Sequence, residues 1–149
     1  MKTVQDVMDH KATQERGIEI ISVTPIATVL EAVQLMNDHH VGALPVIQDA
    51  HLVGIISERD YARKVILKDR SSKSTRVSEI MTQDVVTVTR SHDVGTCVDL
   101  MATHHFRHLV VVEEGQVLGM LSLRDLFTEI IDEQAETIDQ LEHYIRGDQ

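Results

Sequence analysis

An internal repeat constrains the fold of this chain more than any other feature of its sequence. When the 149 residues are shifted by 65 positions against themselves, 14 of the 38 residues from 23 to 60 are identical to their partners in 88–125. Most of the remaining pairs keep their apolar or polar character. One unit of roughly 60 residues cannot bury its own apolar face, so duplicated units pack together. We therefore expect two copies related by pseudo-twofold symmetry.

A shorter match extends the repeat upstream. Residues 4–8 align with 77–81 at a spacing of 73, so the first copy carries eight extra residues (73 minus 65) before residue 23. They lie within 10–20, a polar stretch that contains a glycine. We predict that they form a surface loop.

Both copies show the same order of predicted elements. Thr28 and Glu31 have the spacing of a capping box, and apolar residues then recur at helical spacing. The elements, in first-copy numbers, are a short helix ending at Met8 (Met81 in the second copy), a strand at 20–23 (85–88), a helix at 29–38, a hairpin of strands at 43–47 and 52–57, and a last helix from 58 or 59. The predicted fold class is α/β (α+β): two pseudo-symmetric β-α-β-β-α repeats packed sheet to sheet, with a long C-terminal helix.

These elements divide the chain into four parts. We place the first repeat at 1–66, a linker at 67–76, the second repeat at 77–132 and a helical tail at 133–149. The linker is Ser-rich and basic in an otherwise acidic chain. It is either a solvated connection or a surface that faces an anionic ligand.

The residues from 124 to 145 predict one helix, longer than a unit of this size needs to cover itself. Its a and d heptad positions are apolar except for Gln134, and Gly147 suits a C-terminal stop. The apolar positions are Phe127, Ile131, Ile138, Leu141 and Ile145. Either they pack back on their own core or a partner helix covers them. We expect a homodimer in which a second copy supplies that helix.

Composition argues against several partners. The 14 basic and 24 acidic residues give a net charge of −10, which repels the phosphate backbone of nucleic acids. The longest apolar runs are too short to span a bilayer, and the N-terminus shows no secretory or transit signal. The single cysteine, Cys97, cannot form an internal disulfide. We expect a cytoplasmic protein with no membrane or nucleic-acid partner.

A seven-residue motif ends the last strand of each copy. It is GIISERD at 54–60 and GMLSLRD at 119–125. The glycine permits close approach of a ligand to the strand. The serine sits where a helix begins, so its hydroxyl and the unpaired N–H groups can bind an anion, and the arginine adds a phosphate donor. The aspartate suits a ribose diol, and together these groups suggest a nucleotide.

The same residues also have a purely structural interpretation. Serine and aspartate are ordinary capping residues at a helix N-terminus, and duplication copies structural caps as well as binding sites. The residue pattern alone leaves both interpretations open.

Catalysis and metal binding have less support. His39–His40 recurs as His104–His105, but both pairs lie where a helix meets a strand, and no cysteine or carboxylate completes a zinc set. Cys97 aligns with Ala32 on an apolar helix face and is interpreted as a small core residue. The sequence has no nucleophile elbow, phosphate-binding loop or catalytic carboxylate pair. We predict no catalytic residues, no metal site and no catalytic cofactor.

The whole pattern resembles the CBS (cystathionine β-synthase) domain, in the tandem arrangement called a Bateman module. The resemblance rests on Val-Thr-Pro at 23–25, His-Val-Gly-Ala-Leu-Pro-Val at 40–46 and the paired GxxSxRD motifs, and it extends over about 1–132. It implies frequent homodimerisation and binding of AMP, ATP or NAD(H) in two clefts between the repeats. The chain is also similar to small stand-alone bacterial CBS-pair proteins.

The resemblance assigns nucleotide-binding residues to each cleft. One cleft would use Ser122, Arg124, Asp125, Met120, Thr24, Val29, Val41, Gly42 and, for phosphate, Arg107. The other would use Ser57, Arg59, Asp60, Thr89, Val94 and Phe106. Arg90 and Val110 replace two prolines of the pattern in the second copy, so we expect unequal clefts, with Asp125 in the stronger one.

These observations lead to two hypotheses. The first is a regulatory module that senses an adenine nucleotide, AMP or NAD(H), and transmits its ligand state to a partner protein that the sequence does not identify. The alternative is a structural dimerisation module with vestigial clefts.

Overall fold

The fold is described here from a computed structural model that covers residues 2–14 and 20–147. Its elements in chain order are α1 (Val4–Gln14), α2 (Val29–His39), β1 (Ala43–Gln48), β2 (His51–Ser57), α3 (Glu58–Tyr61), a π-helical segment (Ala62–Ile66), α4 (Val77–Ile80), β3 (Thr87–Val88), α5 (Val94–His104), β4 (His108–Glu113), β5 (Gln116–Ser122) and α6 (Leu123–Arg146). The mixed α+β class with a long C-terminal helix is confirmed.

The repeat is visible in the backbone. Helix α5 and strands β4 and β5 each begin 65 residues after α2, β1 and β2. The residue that ends the helix is left-handed in both copies, with φ of 55° at His40 and 58° at His105. The duplication therefore preserves the helix ends as well as the elements.

Helix α2 begins and packs as its sequence predicts. The Thr28 side chain accepts a hydrogen bond from the backbone N–H of Glu31, and the Glu31 side chain accepts one from the backbone of Thr28. Val29, Ala32 and Met36 are buried along one face. The capping box thus starts the helix at the position from which this apolar stripe meets the core.

Each hairpin turns through two residues with positive φ. These are Asp49 and Ala50 in the first copy (51° and 66°) and Glu114 and Gly115 in the second (50° and 79°). Two consecutive left-handed residues match the twist of the flanking strands, as in a type I′ turn. The predicted hairpins are confirmed.

The strands before the helices are shorter than predicted. Strands β1 and β2 form a two-stranded antiparallel sheet, and β3, β4 and β5 form a three-stranded one. The predicted strand at 20–23 is wrong beyond one residue, since only Val23 pairs, in a parallel bridge with Val46. A turn starts at Thr24–Pro25 and stops the pairing there. The strand predicted at 85–88 is reduced to Thr87–Val88.

Helix α1 is longer than predicted. It does not end at Met8 but continues to Gln14, so residues 10–14 are helical and not a surface loop. The buried Val4, Val7 and Met8 fix its first turns. Lys11 forms an ion pair with Asp125 and His10 contacts Glu129, which extends the contacts of the helix. The rest of the predicted loop, residues 15–19, lies outside the described residues.

The described chain forms two compact units that cross the boundaries of the repeats. The first unit contains residues 2–14, 88–109 and 121–147, and the second contains 20–87 and 110–120. Helix α1 of the first copy thus belongs with α5 and α6, whereas α4 of the second copy belongs with α2. The two copies have exchanged their opening helices.

The second unit has a continuous core of aliphatic side chains. Its buried members are Val23, Val29, Ala32, Met36, Leu44, Val46, Ile56, Val65, Val77 and Ile80. The linker docks on the start of α2, where the backbone N–H groups of Val29 and Leu30 donate to the carbonyls of Thr75 and Ser72. Arg70 pairs with Glu79 at 2.6 Å. The linker is therefore part of this unit and not only a solvated connection.

Helix α6 runs for 24 residues and ends at Gly147, whose φ of 75° confirms the predicted stop. The apolar a and d side chains are exposed in this chain, and Tyr144 joins them. The alternative in which this stripe packs back on its own core is therefore wrong. No helix in the described part of the chain is both long and apolar enough to cross a membrane.

Candidate functional site

The two copies of the motif build the same helix cap. At the start of α3, the backbone N–H of Ser57 donates to Asp60 Oδ2 at 3.0 Å, and the N–H of Asp60 donates to Ser57 Oγ at 3.1 Å. At the start of α6, Ser122 and Asp125 make the same pair of bonds at 2.8 and 3.1 Å. Both aspartates therefore act as helix caps. A binding role depends on whether each carboxylate still has an acceptor position that no donor occupies.

Asp60 has no acceptor position left. Oδ2 accepts from the N–H and the hydroxyl of Ser57, and Oδ1 accepts from Thr82 Oγ1 at 3.2 Å and lies 3.1 Å from Lys64 Nζ. A carboxylate offers about four acceptor sites, so these four donors occupy it fully. The residue is only 7% exposed.

Asp125 is less engaged. Its Oδ2 accepts from the Ser122 N–H and from Lys11 Nζ, which lies 3.0 Å away on α1. Within residues 2–14 and 20–147, Oδ1 receives no hydrogen bond. The side chain is 21% exposed. One carboxylate oxygen of Asp125 is thus able to accept hydrogen bonds from a ligand.

Each motif is joined by its backbone to the residue just before the first hairpin strand of its own copy. The N–H of Glu58 donates to the carbonyl of Gly42 at 3.0 Å, and the N–H of Leu123 donates to the carbonyl of Arg107 at 2.9 Å. The structure therefore places the backbone of Arg107 next to the Ser122 motif. It also places Gly42 next to the Ser57 motif, whereas the resemblance assigned Gly42 to the ligand of Asp125.

The other assigned residues differ in exposure. Val29 and Val94 are buried as the first residues of α2 and α5, so their side chains serve the core of this structure. The exposed residues are Thr24, Arg59, Arg107 and Arg124, and the half-buried ones are Val41, Gly42, Ser57, Thr89, Phe106, Met120, Ser122 and Asp125. The Phe106 ring stacks on His104, with centroids 5.9 Å apart. Thr24, Val41 and Gly42 lie in the second unit, and Thr89, Val94 and Phe106 lie in the first.

Gly54 has a different role from the one expected. A Cβ at this position would lie 2.8 Å from Met81 Sδ and 3.0 Å from the carbonyl oxygen of Thr82. Ile55 and Thr82 form an antiparallel bridge beside it, with hydrogen bonds of 2.9 and 2.8 Å. The glycine therefore admits the chain's own backbone, and the expectation that it admits a ligand is wrong.

Burial controls the titration of two side chains in the first unit. It raises the pKa of the Cys97 thiol to about 11, and the charge of Asp93 adds to this effect. The thiol therefore stays protonated at neutral pH, as a core residue and not a nucleophile. Burial also lowers the pKa of His108, opposed by Asp125 and supported by Lys11 and Arg107.

Sequence reasoning missed the side chains that α1 brings to α6. Lys11 pairs with Asp125, and His10 pairs with Glu129, although 114 and 119 residues separate the partners in the chain (125 minus 11, 129 minus 10). The signal in the sequence was the acidic row at 125, 129, 132 and 136, whose helical spacing puts these carboxylates on one side of α6, where cations of another segment can pair with them. The prediction ended α1 at Met8 and assigned the next residues to a loop, so it did not place His10 and Lys11 on a helix.

Comparison with known proteins places these features in a family context. A family model described as the CBS domain matches residues 4–67 and 77–132. The CBS domain-containing protein CBSX3, mitochondrial, of Arabidopsis thaliana is 39% identical over 150 residues, covering 97% of this chain and 72% of that protein. The structure of a protein with CBS domains from Burkholderia ambifaria is 42% identical with a TM-score of 0.83, covering 89% of this chain and 96% of that one.

A more distant structure shares the fold and holds ligands. It is the CBS domain pair of protein MJ0100 in complex with 5′-methylthioadenosine and S-adenosyl-L-methionine. Its TM-score is 0.73 at 21% identity, and the match covers 89% of this chain and 98% of that chain.

Proposed function

The chain belongs to the CBS-domain family, and from that premise we propose that it senses an adenine nucleotide and passes the ligand state to a partner protein. A CBS pair is a regulatory module. AMP is our first candidate ligand, and NAD(H) and ATP are the others. The ligand acts as a signal and not as a catalytic cofactor, and we assign no catalytic residue.

The observation that carries this proposal is that only one of the two carboxylate oxygens of Asp125 accepts hydrogen bonds from the described residues. Its Oδ1 accepts no hydrogen bond within the described ranges, and the side chain is partly exposed at the start of α6. A ribose diol supplies two hydroxyl donors that such an oxygen can accept. Lys11, 3.0 Å from Oδ2, adds a positive charge that favours a phosphorylated ligand beside the diol. The adenosine ligands of the MJ0100 pair support the same chemical class.

The remaining ligand contacts are those that the family resemblance assigns. On the Asp125 side they are Ser122, Arg124, Met120 and Arg107 with Thr24, Val29, Val41 and Gly42, and on the Asp60 side they are Ser57 and Arg59 with Thr89, Val94 and Phe106. We propose that Val29 and Val94 act by fixing the helix starts, because their side chains are buried. The cytoplasmic location also stays a prediction.

We propose in addition that the protein is a homodimer. The apolar side chains at the a and d positions of α6 are exposed along the helix. A contiguous apolar stripe of this kind is unfavourable in water and is typical of a protein–protein interface. A second copy of α6 covers this stripe by coiled-coil packing. Light scattering at micromolar concentration should give about twice 16.8 kDa. Replacing Ile138 and Leu141 by Glu should give a monomer, and an unchanged mass would contradict this interface.

The test of the nucleotide proposal is titration calorimetry on the full chain with AMP, ADP, ATP, NAD, NADH and S-adenosylmethionine. We expect Asp125→Ala to weaken binding roughly 10- to 100-fold, because a hydrogen bond to a charged group contributes about 1.5–3 kcal/mol. Asp60→Ala is the matched control from the other copy, with its binding measured under conditions where it is folded. It should leave the strongest binding event unchanged.

The alternative function is structural dimerisation with vestigial clefts. The full occupation of Asp60 by four donors favours it for the first copy. If no adenine ligand binds wild-type protein at millimolar concentration, this alternative holds for both copies. If only Asp60→Ala weakens binding, the ligand class stands but our choice of aspartate is wrong.

A further inference from the structure

Ion pairs join the N-terminal segment to α6 inside the first unit. Lys11 lies 3.0 Å from Asp125, and Lys2 lies 3.9 Å from Glu136. Between them His10 Nδ1 lies 2.7 Å from Glu129 Oε1 and 3.7 Å from Asp132 Oδ2. The two outer contacts use lysines, which cannot bind a metal while charged. The middle contact uses an imidazole, which can.

The middle contact gathers three potential ligand atoms. His10 Nδ1 and one oxygen each from Glu129 and Asp132 all lie within 4.8 Å of one another. Glu129 and Asp132 are three residues apart on α6, so they point to the same side of the helix. Glu129 is only 3% exposed, whereas the Asp132 side chain is 47% exposed. A buried carboxylate anchors the cluster, and an exposed one leaves it open to solvent.

This donor set has the chemistry of a zinc site. Imidazole favours zinc over magnesium or calcium, and carboxylate oxygens of Asp and Glu also bind zinc. Atoms that share a tetrahedral zinc ion lie roughly 3.3 Å apart, given metal–ligand bonds of about 2.0–2.1 Å. To share a zinc ion, His10 Nδ1 and Glu129 Oε1, now 2.7 Å apart, have to move apart by less than about 1 Å. Asp132 Oδ2, now 3.7 Å from His10 Nδ1, has to move closer to it.

We propose that His10, Glu129 and Asp132 bind a divalent zinc ion that fastens α1 to α6. The ion replaces the hydrogen bond between His10 and Glu129 with bonds to both side chains, and Asp132 supplies the third. The charge of Zn²⁺ offsets the two carboxylates, one of them buried, more fully than an imidazole does. The position left open on the exposed side takes water. This site is independent of the proposed nucleotide function.

The first test is zinc titration of chelator-treated full-length protein by calorimetry, with Zn²⁺ alone and without nucleotide. One equivalent should bind more tightly than any further equivalent that the other histidines capture. Asp132→Asn and His10→Gln should each weaken that equivalent at least tenfold, because even the loss of an outer-shell partner costs about 10- to 100-fold. Mg²⁺ and Ca²⁺ should not compete for it.

Asp139→Asn is the matched control. Asp139 is an exposed carboxylate on the same helix, and it lies 3.5 Å from an exposed imidazole, His143, one turn away. It offers the same pair of groups without a buried carboxylate. Its substitution should leave the tight equivalent unchanged.

The second test is thermal unfolding, which reports whether zinc fastens the two helices. At a zinc concentration about 100 times Kd, the melting temperature of wild-type protein should rise by roughly 5–10 °C. His10→Gln should abolish the rise, and Asp139→Asn should keep it. Equal zinc affinity in all three variants, or no zinc-dependent rise in the wild type, would overturn the proposal and leave the cluster as a contact between His10 and Glu129 without a metal.

Discussion

The two copies of the Ser-x-Arg-Asp segment have the same local structure and different neighbours. Asp60 and Asp125 both close a capping box with the serine three residues earlier. Asp60 then accepts from four donors, whereas Asp125 keeps one oxygen without a hydrogen bond in the ranges the structure covers. Local sequence thus determines the cap, and residues outside the motif determine whether its carboxylate can also bind a ligand.

The aligned positions explain this difference. Lys64, four residues after Asp60, aligns with Glu129 in the second copy. Asp125 therefore has no cation four residues further along its own helix, and Lys11 of α1 pairs with it instead. Thr82 donates to Asp60, and it aligns with Asp9, which has no hydroxyl to donate. Two substitutions between the copies therefore change a saturated carboxylate into an available one.

The largest effect that we expect is on the contribution to stability of the first copy, in which four donors occupy the carboxylate of Asp60. Asp60→Ala removes a buried acceptor and leaves the Ser57 N–H, Thr82 and Lys64 without it, so we expect a loss of about 2–3 kcal/mol in the free energy of unfolding. Asp125→Ala removes mainly a cap and should cost about 1 kcal/mol. Urea unfolding at neutral pH measures both. Equal losses would show that the two carboxylates are equally engaged, and the comparison would fail.

The next effect concerns the close approach of the Met81–Thr82 segment to Gly54 in the first motif. Gly54→Ala puts a Cβ 2.8 Å from Met81 Sδ and 3.0 Å from a backbone oxygen of Thr82. Overpacking of this kind costs typically 1–3 kcal/mol, and we expect about 2 kcal/mol because the backbone cannot yield as a side chain does.

Gly95→Ala is the control for this substitution. Gly95 lies in the first turn of α5, and the nearest atom to a Cβ there is 3.4 Å away. Alanine favours helix over glycine, so this variant should be neutral or slightly stabilised. If urea unfolding shows no loss for Gly54→Ala, the Met81–Thr82 segment is not held against the strand as described.

The sequence predicted what depends on neighbours close in the chain. The capping boxes at Thr28, Ser57 and Ser122 and the stop at Gly147 involve residues at most four apart, and all were recoverable from residue types. The exchange of α1 and α4 between the units was not recoverable, because no local pattern records which distant face a helix covers. The same holds for His10 with Glu129, where the partners come from opposite ends of the chain.

A smaller loss of stability is expected when Asp60 loses one of its donors, which makes its surroundings more like those of Asp125. Thr82→Val removes the hydroxyl that donates to Asp60 Oδ1 at 3.2 Å, and it keeps the side-chain shape. We expect a loss of about 1 kcal/mol, the typical contribution of one hydrogen bond. Thr128→Val is the control, since its hydroxyl bonds only a carbonyl one turn earlier in α6. A stability loss no larger than that of the control would mean that Thr82 does not help to saturate Asp60.

The smallest effect that we expect is a pH dependence of the free energy of unfolding that comes from the second copy alone. His108 lies in the second copy near Asp125, and the aligned residue in the first copy is Ala43, which cannot titrate. Burial lowers the pKa of His108 below its ordinary value of about 6.5. Between the lowered value and about 6.5, the unfolded chain binds a proton at His108 that the folded chain does not, so the free energy of unfolding falls as the pH falls through this window.

Urea unfolding from pH 7.5 to 5.5 tests this contribution by difference. His108→Gln should show a shallower loss of stability than the wild type, and His143→Gln, at an exposed position of α6, should not. Asp125→Asn sharpens the test, because Asp125 opposes the effect of burial on the pKa of His108. Without that charge the pKa falls further, the window widens, and the loss below about pH 6.5 should be steeper. If His108→Gln retains the wild-type slope, the imidazole takes its proton equally well in the folded and unfolded chains, and the second copy has no pH dependence of its own at this position.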